Sequence, residues 1–489
     1  MLLFLLNIFS LPERLTGSLR GTKPGGNSAL LAVMLGLLAL PGALQAGPIK
    51  PDTIEDLDRQ FQDYSRDFYR QVIKTRLFAL QKYKTIAELK SRVDTLLKSG
   101  DTSHALALIH FNFELIRNNI DALETVHLTG LLLDLNDWHG AKRIFSTARN
   151  EGGKVAVSNL SYVFAKYFMA RKEWQQALAH LQGVINDLSD DDANYARIMV
   201  GTILQYQKQH RKAVTYYQKV SKHSRYYPTA VLNTAVAYIR QDWWTDAYIL
   251  INELVKDDSL HVNDTMIDRL HLVLGYALLR KQYFRNSREA FRNVGLNSPY
   301  TNRALLGIAL TAANQEDFIG SLNAITILKN RKSTDLTVDE AYLLLPYTYG
   351  KLKQNLTATS AYTDGIKYYQ ERIAALQNIS RSDESILAKL RISPDKTSIS
   401  IDNNEFDYSQ YYPKSFFDNY EQLVRLGKHA GSISSLQSKY QALFSVHRKT
   451  LASICRHLLD ERIDYLQSYL NQSRYGLARL YDSSLVSTK

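Results

Sequence analysis

The chain has 489 residues, of which 45% are hydrophobic and 22% charged, so most of it can bury a core and extended disorder is excluded. It has 23 glycines and 10 prolines, few for a protein of many short strands, and this favours long helices. The net charge of +12 attracts anionic partners but is too dilute for a dedicated DNA-binding protein. A single cysteine, Cys455, excludes an intrachain disulfide framework and a cysteine-based zinc cluster.

Residues 1–46 follow the order of a secretory signal peptide. Three basic residues precede the apolar run 29–40, and small residues follow it up to Ala46, where we expect cleavage. The stretch 29–44 is short for a full membrane crossing, which needs about 20 residues, but retention as an N-terminal tether in the inner membrane is an alternative, as is no export at all. The pattern predicts a periplasmic protein or one that is anchored facing the periplasm.

After an N-terminal helical segment at 47–85, a small residue recurs through 86–373 in a constant setting. An aromatic or polar residue precedes it by three positions, and a large apolar residue follows four positions later. The recurring residues are Ala105, Ala141, Ala177, Ala213, Ala247, Ser287, Ser321 and Ala358. Apolar spacing of about 3.6 residues on either side of a short polar turn makes each of these eight units a predicted helical hairpin.

The ladder resembles the tetratricopeptide repeat, which has a period of about 34 residues and a small residue early in its second helix. One unit shows the family's positions in order: Leu274-Gly275, Phe284, Ser287, Phe291 and Pro299. Others are degenerate, since Ser321 replaces the usual alanine and Pro346 stands where glycine or alanine is expected. The resemblance implies an all-α, right-handed superhelical solenoid of such hairpins, closed by long C-terminal helices.

Three of the four tryptophans, Trp138, Trp174 and Trp244, fall at the same repeat position. A residue that repeats in phase with a scaffold is most simply explained by packing within that scaffold. We therefore interpret these rings as packing residues and not as ligand-stacking groups.

A polar linker or insertion follows at 374–414, and two or more long helices are predicted at 415–489. Within the linker, Asp402-Asn403-Asn404 resembles part of a calcium loop but lacks the glycine and the closing glutamate, so we expect no calcium there. The C-terminal helices have two interpretations: a cap that covers the last repeat, or a helical arm for a partner.

Catalytic motifs are missing from the sequence. There is no phosphate-binding glycine loop, no zinc-binding histidine pair on a helix and no nucleophile elbow. Cys455 is expected to be a packing residue, and the acidic runs Asp190-Asp191-Asp192 and Asp257-Asp258 are expected to cap helices or face water. We therefore expect no enzyme activity, no cofactor and no metal.

By analogy with the family, the residues on the inner side of the solenoid lie 18, 15, 14, 11, 8 and 7 positions before each small residue. These positions include Tyr162, Lys166, Tyr206, Asn233, Arg240, Arg269, Tyr276, Arg280, Arg303, Asn314, Tyr347 and Lys351. Glu340 is the single acid of the same set. A basic surface with interspersed tyrosines suits an extended or helical polypeptide carrying acidic residues, although a merely solvated charged face is the plainer alternative.

The resemblance also implies a role. Exported proteins that look like this one in bacteria act as assembly scaffolds of the cell envelope, so we expect a protein–protein adaptor that binds another envelope protein or an acidic peptide. A component that binds a polyanionic polysaccharide in an export or assembly machine is the alternative. Export argues against nucleic acid as a partner.

Overall fold

The structure is a computed structural model that describes residues 51–256, 264–331, 335–394, 398–408 and 411–486. The predicted signal segment and Asp257-Asp258 lie outside these residues. The helices are α1 (Pro51–Thr75), α2 (Ile86–Lys98), α3 (Thr102–Phe111), α4 (Phe113–Asn118), α5 (Leu123–Asp134), α6 (Trp138–Glu151), α7 (Lys154–Ala170), α8 (Trp174–Leu181), α9 (Asp190–Tyr206), α10 (His210–Tyr217), α11 (Tyr227–Arg240), α12 (Trp244–Lys256), α13 (Asp264–Arg280), α14 (Phe284–Arg292), α15 (Thr301–Asn314), α16 (Phe318–Lys329), α17 (Leu336–Lys351), α18 (Asn355–Ile379), α19 (Asp383–Lys389), α20 (Lys414–Ala430) and α21 (Ser434–Val486).

The predicted all-α fold class is confirmed, with one small exception. Strands β1 (Leu390–Ile392), β2 (Ser398–Ile401) and β3 (Asn404–Asp407) form an antiparallel sheet in that order. The loop between β2 and β3 is Asp402-Asn403, and both residues have positive φ, of 51° and 63°. Two such residues make the tight turn whose twist matches a hairpin, and Asn and Asp tolerate that backbone best. Asp402-Asn403 is therefore a hairpin turn, and Asn404 begins β3.

The two helices of each predicted hairpin join through the same turn. Five positions before every small residue, the backbone enters the left-handed region, with φ between 56° and 79°, at Gly100, Asn136, Lys172, Lys208, Asp242, Gln282, Glu316 and Lys353. The next residue donates its N–H to the carbonyl five residues back, as Tyr283 does to Leu278 at 2.9 Å. This is the Schellman ending of a helix, and it reverses the chain in a fixed geometry.

The small residues lie at the contacts between helices. All eight are fully buried, including Ser287 and Ser321. Ser287 also donates its hydroxyl to the carbonyl of Gly275 at 2.7 Å, which satisfies the polar group that replaces alanine. The prediction that these positions are packing residues is confirmed.

Two compact units make up the described chain, and each is built from hairpins together with helices distant in sequence. The N-terminal unit comprises Ile49–Ala237 and Ser409–Leu451, and the C-terminal unit comprises Tyr238–Tyr408 and Ala452–Lys489.

In the N-terminal unit, α1 and α20 are fixed to the hairpins by a buried polar network around Asn136. The Asn136 side chain donates to Asn419 on α20, and its carbonyl accepts from Gln62 on α1 at 3.0 Å. Arg171, the C-cap of α7, donates to Asp58 on α1 at 2.9 Å, and Asn419 donates to the same carboxylate at 2.8 Å. Buried polar groups need such partners, so this network specifies where both helices dock.

In the C-terminal unit, first and second helices of successive hairpins alternate around a continuous apolar core. Leu306 on α15, Ile325 and Leu328 on α16 and Ala341 on α17 belong to one buried cluster. Phe291 on α14 is wedged between two first helices, where it packs against Leu272 and Ala304. No helix of the described residues is both long enough and apolar enough to cross a membrane.

Candidate interaction surface

The twelve residues predicted to face a partner divide between the two units. Four belong to the N-terminal unit and eight to the C-terminal unit. Lys166, Arg280 and Lys351 are exposed, Tyr162, Asn233 and Arg269 are buried, and the other six are half-buried. The exposed side chains of this set are therefore all basic.

In the N-terminal unit, the aromatic members of the set also pack within the scaffold. Tyr206 stacks on Trp174 with ring centroids 4.1 Å apart. Burial and the nearby Asp192 carboxylate raise the pKa of Tyr162, while the Lys166 ammonium lies 4.6 Å from the centre of its ring. The backbone carbonyl of Asn233 accepts a hydrogen bond from the side-chain amide of Gln205 at 2.8 Å. These contacts agree with the interpretation of Trp174 as a packing residue, as does the stacking of Trp138 on Tyr167.

In the C-terminal unit, Arg269 on α13 and Arg303 on α15 differ in burial. Arg269 is buried, and burial lowers its pKa; Tyr300 opposes this effect and the charge of Arg303 adds to it. Tyr276 donates its hydroxyl to the carbonyl of Arg303 at 2.8 Å, and its ring contacts Phe291 edge-on at 4.8 Å. Arg269 is therefore enclosed by the unit, whereas Arg303 is half-buried.

The remaining predicted residues of the C-terminal unit lie on the first helices α11, α13, α15 and α17. Asn314 donates to the carbonyl of Leu310 at 2.8 Å, which fixes the end of α15. Lys351 lies 5.5 Å from the centre of the Tyr347 ring, and burial raises the pKa of Tyr347 to about 12. Arg280 ends α13 and is exposed, and Arg240 ends α11 and is half-buried.

Glu340, the acidic member of the inner positions, is hydrogen-bonded to the C-terminal helix of the same chain. Tyr469 on α21 donates its hydroxyl to Glu340 at 2.9 Å. Next to it, Arg462 on α21 donates to the fully buried Asp339 at 2.5 Å, and Tyr368 donates to the same carboxyl group at 2.6 Å. The C-terminal helix therefore lies against the last hairpin through a cluster of acids, arginine and tyrosines.

Both acids of this cluster have raised pKa values. Burial raises the pKa of Glu340 to about 7, against the lowering effects of the Tyr469 hydrogen bond and the charge of Arg462. Burial also raises the pKa of Asp339, although Arg462 and Arg372 oppose it. Sequence reasoning singled out Glu340 but not its partners, because Tyr469 and Arg462 are more than 120 residues away and no local pattern links them.

The thiol of Cys455 and the acidic run at 190–192, which could in principle carry chemistry, have structural roles. Cys455 is buried, and burial raises the pKa of its thiol to about 12, so it is protonated at neutral pH. Ser189 caps α9, so the cap is not one of the aspartates. Asp190-Asp191-Asp192 form the first turn of that helix, and the exposed Asp190 and Asp191 meet the alternative expectation that the run faces water. Among the described residues, no group of three histidine, cysteine or acidic side chains is placed to hold a metal ion.

No protein-family model and no curated protein matches the chain. Among solved structures it is similar to the apo form of RapI, with 10% identity, a TM-score of 0.42 and coverage of 75% of this chain and 98% of that one. It is also similar to the apo form of the quorum sensor NprR from B. thuringiensis, with 12% identity, a TM-score of 0.33 and coverage of 66% and 97%. A circular tandem repeat protein gives 11% identity, a TM-score of 0.14 and coverage of 89% and 99%. The tetratricopeptide-like assignment of the hairpins depends on their own turns and packing.

Proposed function

We propose that this chain is a non-enzymatic interaction scaffold that binds an acidic segment of a partner polypeptide along the first helices of its hairpins. The observation that carries the proposal is that the accessible charged side chains at the inner positions of the C-terminal unit are basic: Arg280 and Lys351 are exposed and Arg303 is half-buried, while the acid Glu340 is hydrogen-bonded by Tyr469. Carboxylates of a partner would form charge-assisted hydrogen bonds with these cations.

The exposed cations extend this surface. Arg280 lies three turns beyond Arg269 on α13, and Lys351 ends α17. An extended or helical peptide with several acidic residues would contact these side chains in turn, and the half-buried tyrosines would add rigid contact area. The packing of Tyr276 favours this partner over a polysaccharide, because the contact with Phe291 covers part of the ring and stacking on sugar requires an open ring face.

The location and the role of the C-terminal helix belong to the same proposal. The order of residues 1–46 supports export to the bacterial periplasm, with 29–44 as the alternative tether to the inner membrane. The contacts of Arg462 and Tyr469 with α17 support a cap, since they cover the last hairpin where a further repeat would otherwise pack. An envelope adaptor would then have its partner surface on the first helices and its terminus closed.

The test compares two arginines of one hairpin. Arg280 on the first helix and Arg285 on the second helix are both exposed, so Arg285→Glu is a matched control for Arg280→Glu. With a fluorescent peptide of alternating glutamate and apolar residues, Arg280→Glu should weaken binding about tenfold and Arg285→Glu should have little effect. Raising the salt concentration from 0.1 M to about 0.5 M should also weaken the wild-type complex.

Equal effects of the two substitutions would contradict the proposal, because they would show attraction by net charge alone. Preferential binding of a polyanionic polysaccharide with the same dependence on Arg280 would instead favour the second candidate function. Turnover of an envelope polymer by the purified chain would contradict both.

A further inference from the structure

The positive charge of the chain is concentrated in one stretch. Residues 193–241 contain no aspartate and no glutamate but eight of the 60 lysines and arginines. The remainder of the chain therefore has 52 basic and 48 acidic residues, and most of the excess of +12 comes from these 49 residues. Protein surfaces ordinarily mix charges of both signs, so a stretch of one sign creates a local positive field.

Five of these eight cations are exposed residues in or next to a second helix of the N-terminal unit, α10. The buried side of α10 consists of Ala213, Val214 and Tyr217. The basic patch, as we define it, consists of five exposed residues of α10 and the segments next to it: Lys208, Arg211, Lys212, Lys219 and Lys222. Helical spacing places Arg211 and Lys212 opposite the buried side.

Acidic residues lie outside this stretch. The preceding second helix, α8, contains none, and the following one, α12, contains Asp246 and Glu253. Arg225, which forms an exposed ion pair with Asp191 at 3.5 Å, lies beyond the patch as defined. The described residues between 156 and 242 expose no large apolar side chain, in contrast to Val155 and Trp243 on either side of them.

We propose that the basic patch docks on an anionic lipid surface. The inference goes beyond the proposed peptide binding and concerns residues in and next to a second helix, none of which belongs to the inner positions. Lysine provides four of the five charges, and lysine acts as a hydrated point charge suited to a diffuse layer of headgroups, whereas recognition of individual carboxylates favours arginine forks. Protein interfaces also need buried aromatic or apolar anchors, which the patch does not expose.

Aromatic side chains beside the patch fit the same environment. The Lys219 ammonium lies 5.3 Å from the centre of the half-buried Tyr216 ring, and the Arg225 guanidinium lies 4.8 Å from that of Tyr226. Tyrosine is favoured at membrane–water interfaces, where its ring lies at headgroup level. The patch would hold the N-terminal unit against the membrane by electrostatic attraction without insertion of apolar residues.

The experiment is cosedimentation of the full chain with vesicles of phosphatidylcholine, with and without about 30% phosphatidylglycerol. The test variant combines Lys212→Glu, Lys219→Glu and Lys222→Glu. The control variant combines Lys98→Glu, Lys428→Glu and Lys449→Glu, which are exposed lysines of the same unit and change the net charge equally. Circular dichroism verifies that both variants fold.

Because each basic residue near an anionic surface contributes about 1 kcal/mol, the test variant should partition about a hundredfold less onto anionic vesicles. The control variant should stay within about threefold of the wild type, and salt at about 0.5 M should release the wild type. Equal losses in the two variants, or equal binding to neutral vesicles, would overturn the proposal. It would also be overturned if polyglutamate or duplex DNA, but not vesicles, bound with the same dependence on these lysines.

Discussion

At the scale of single residues, the hairpin turns hold the backbone of residues other than glycine in the left-handed region. Seven of the eight turn residues are not glycine, although L-residues disfavour positive φ by about 1 kcal/mol or more. The cost is offset because the turn satisfies carbonyls at the helix end and lets the small residue five positions later reach its contact.

Gln282 allows a direct test of this cost. It is exposed and has φ of 64°. Gln282→Gly should leave the free energy of unfolding unchanged or raise it by up to about 1 kcal/mol, whereas Gln282→Val should lower it by about 1 to 2 kcal/mol because a β-branched residue is strained there. Urea unfolding measures both. Gln315→Gly, at the C-cap of α15 where φ is −89° and glycine brings no relief of strain, should instead destabilise by about 0.5 to 1 kcal/mol.

Two glycines make room for one aromatic ring in the C-terminal unit. A Cβ at Gly307 would lie 2.4 Å from the Phe291 ring, and one at Gly275 would lie 2.6 Å from it. Gly307→Ala should therefore destabilise by about 1 to 3 kcal/mol through overpacking, measured by thermal or urea unfolding. Gly130→Ala is the control, because its nearest neighbour is 3.7 Å away and alanine favours the helix by up to about 1 kcal/mol. Similar effects at both positions would contradict the close packing at Phe291.

At the scale of elements, the contact between α17 and α21 joins helices far apart in the sequence through ionisable groups. Asp339 is fully buried with Arg462 as its charged partner, and Tyr369 donates its hydroxyl to the carbonyl of Asp339 at 2.7 Å. Leaving one partner of a buried ion pair alone is costly, so the contact fixes which helix can dock there.

The pKa of Glu340 predicts how the stability of this contact depends on pH. Its folded value of about 7 exceeds the ordinary value, so the unfolded chain releases this proton first as pH rises. Stability from this group is fully present below about pH 4.5 and is lost as pH approaches and passes 7. Glu340→Gln should therefore raise the free energy of unfolding at pH 8 by about 1 to 3 kcal/mol and flatten the pH dependence between 5 and 7.

The control for that experiment is Glu289→Gln, because Glu289 is exposed on a second helix of the same unit. Urea unfolding of this variant should follow the wild-type pH dependence. A pH profile of Glu340→Gln that coincides with the wild type would show that the carboxyl group is ionised in the folded chain, contrary to the stated cause.

At the scale of the whole molecule, the chain combines a targeting pattern, a repeat array and helices that close each unit. The apolar run 29–40 should direct export, so Leu37→Arg with Leu38→Arg should abolish the activity of an alkaline phosphatase fusion, which requires export. Leu5→Arg with Leu6→Arg, in the upstream apolar stretch, is the control and should keep that activity. The intact mass of the exported chain distinguishes cleavage after Ala46 from a retained tether.

The sequence determined the hairpin array because the pattern is local. A small residue and its apolar neighbours specify a helix crossing within about 36 residues, and all eight such residues are buried. The sequence also sufficed for the packing roles of Cys455 and of Trp138 and Trp174, since repetition and helical phase identify them. The short sheet was missed because the few alternating residues around Asp402-Asn403 lie inside a polar stretch.

Tertiary structure alone decided which distant segments complete each unit. The docking of α20 beside Asn136 and the docking of α21 on Asp339 involve polar contacts between residues more than 120 positions apart, and no periodicity carries that information. The tertiary structure also showed that Arg269 is buried while Arg280 is exposed, a difference the repeat register leaves undecided. Local patterns specify helices and turns, but burial of charge depends on what the rest of the chain places next to it.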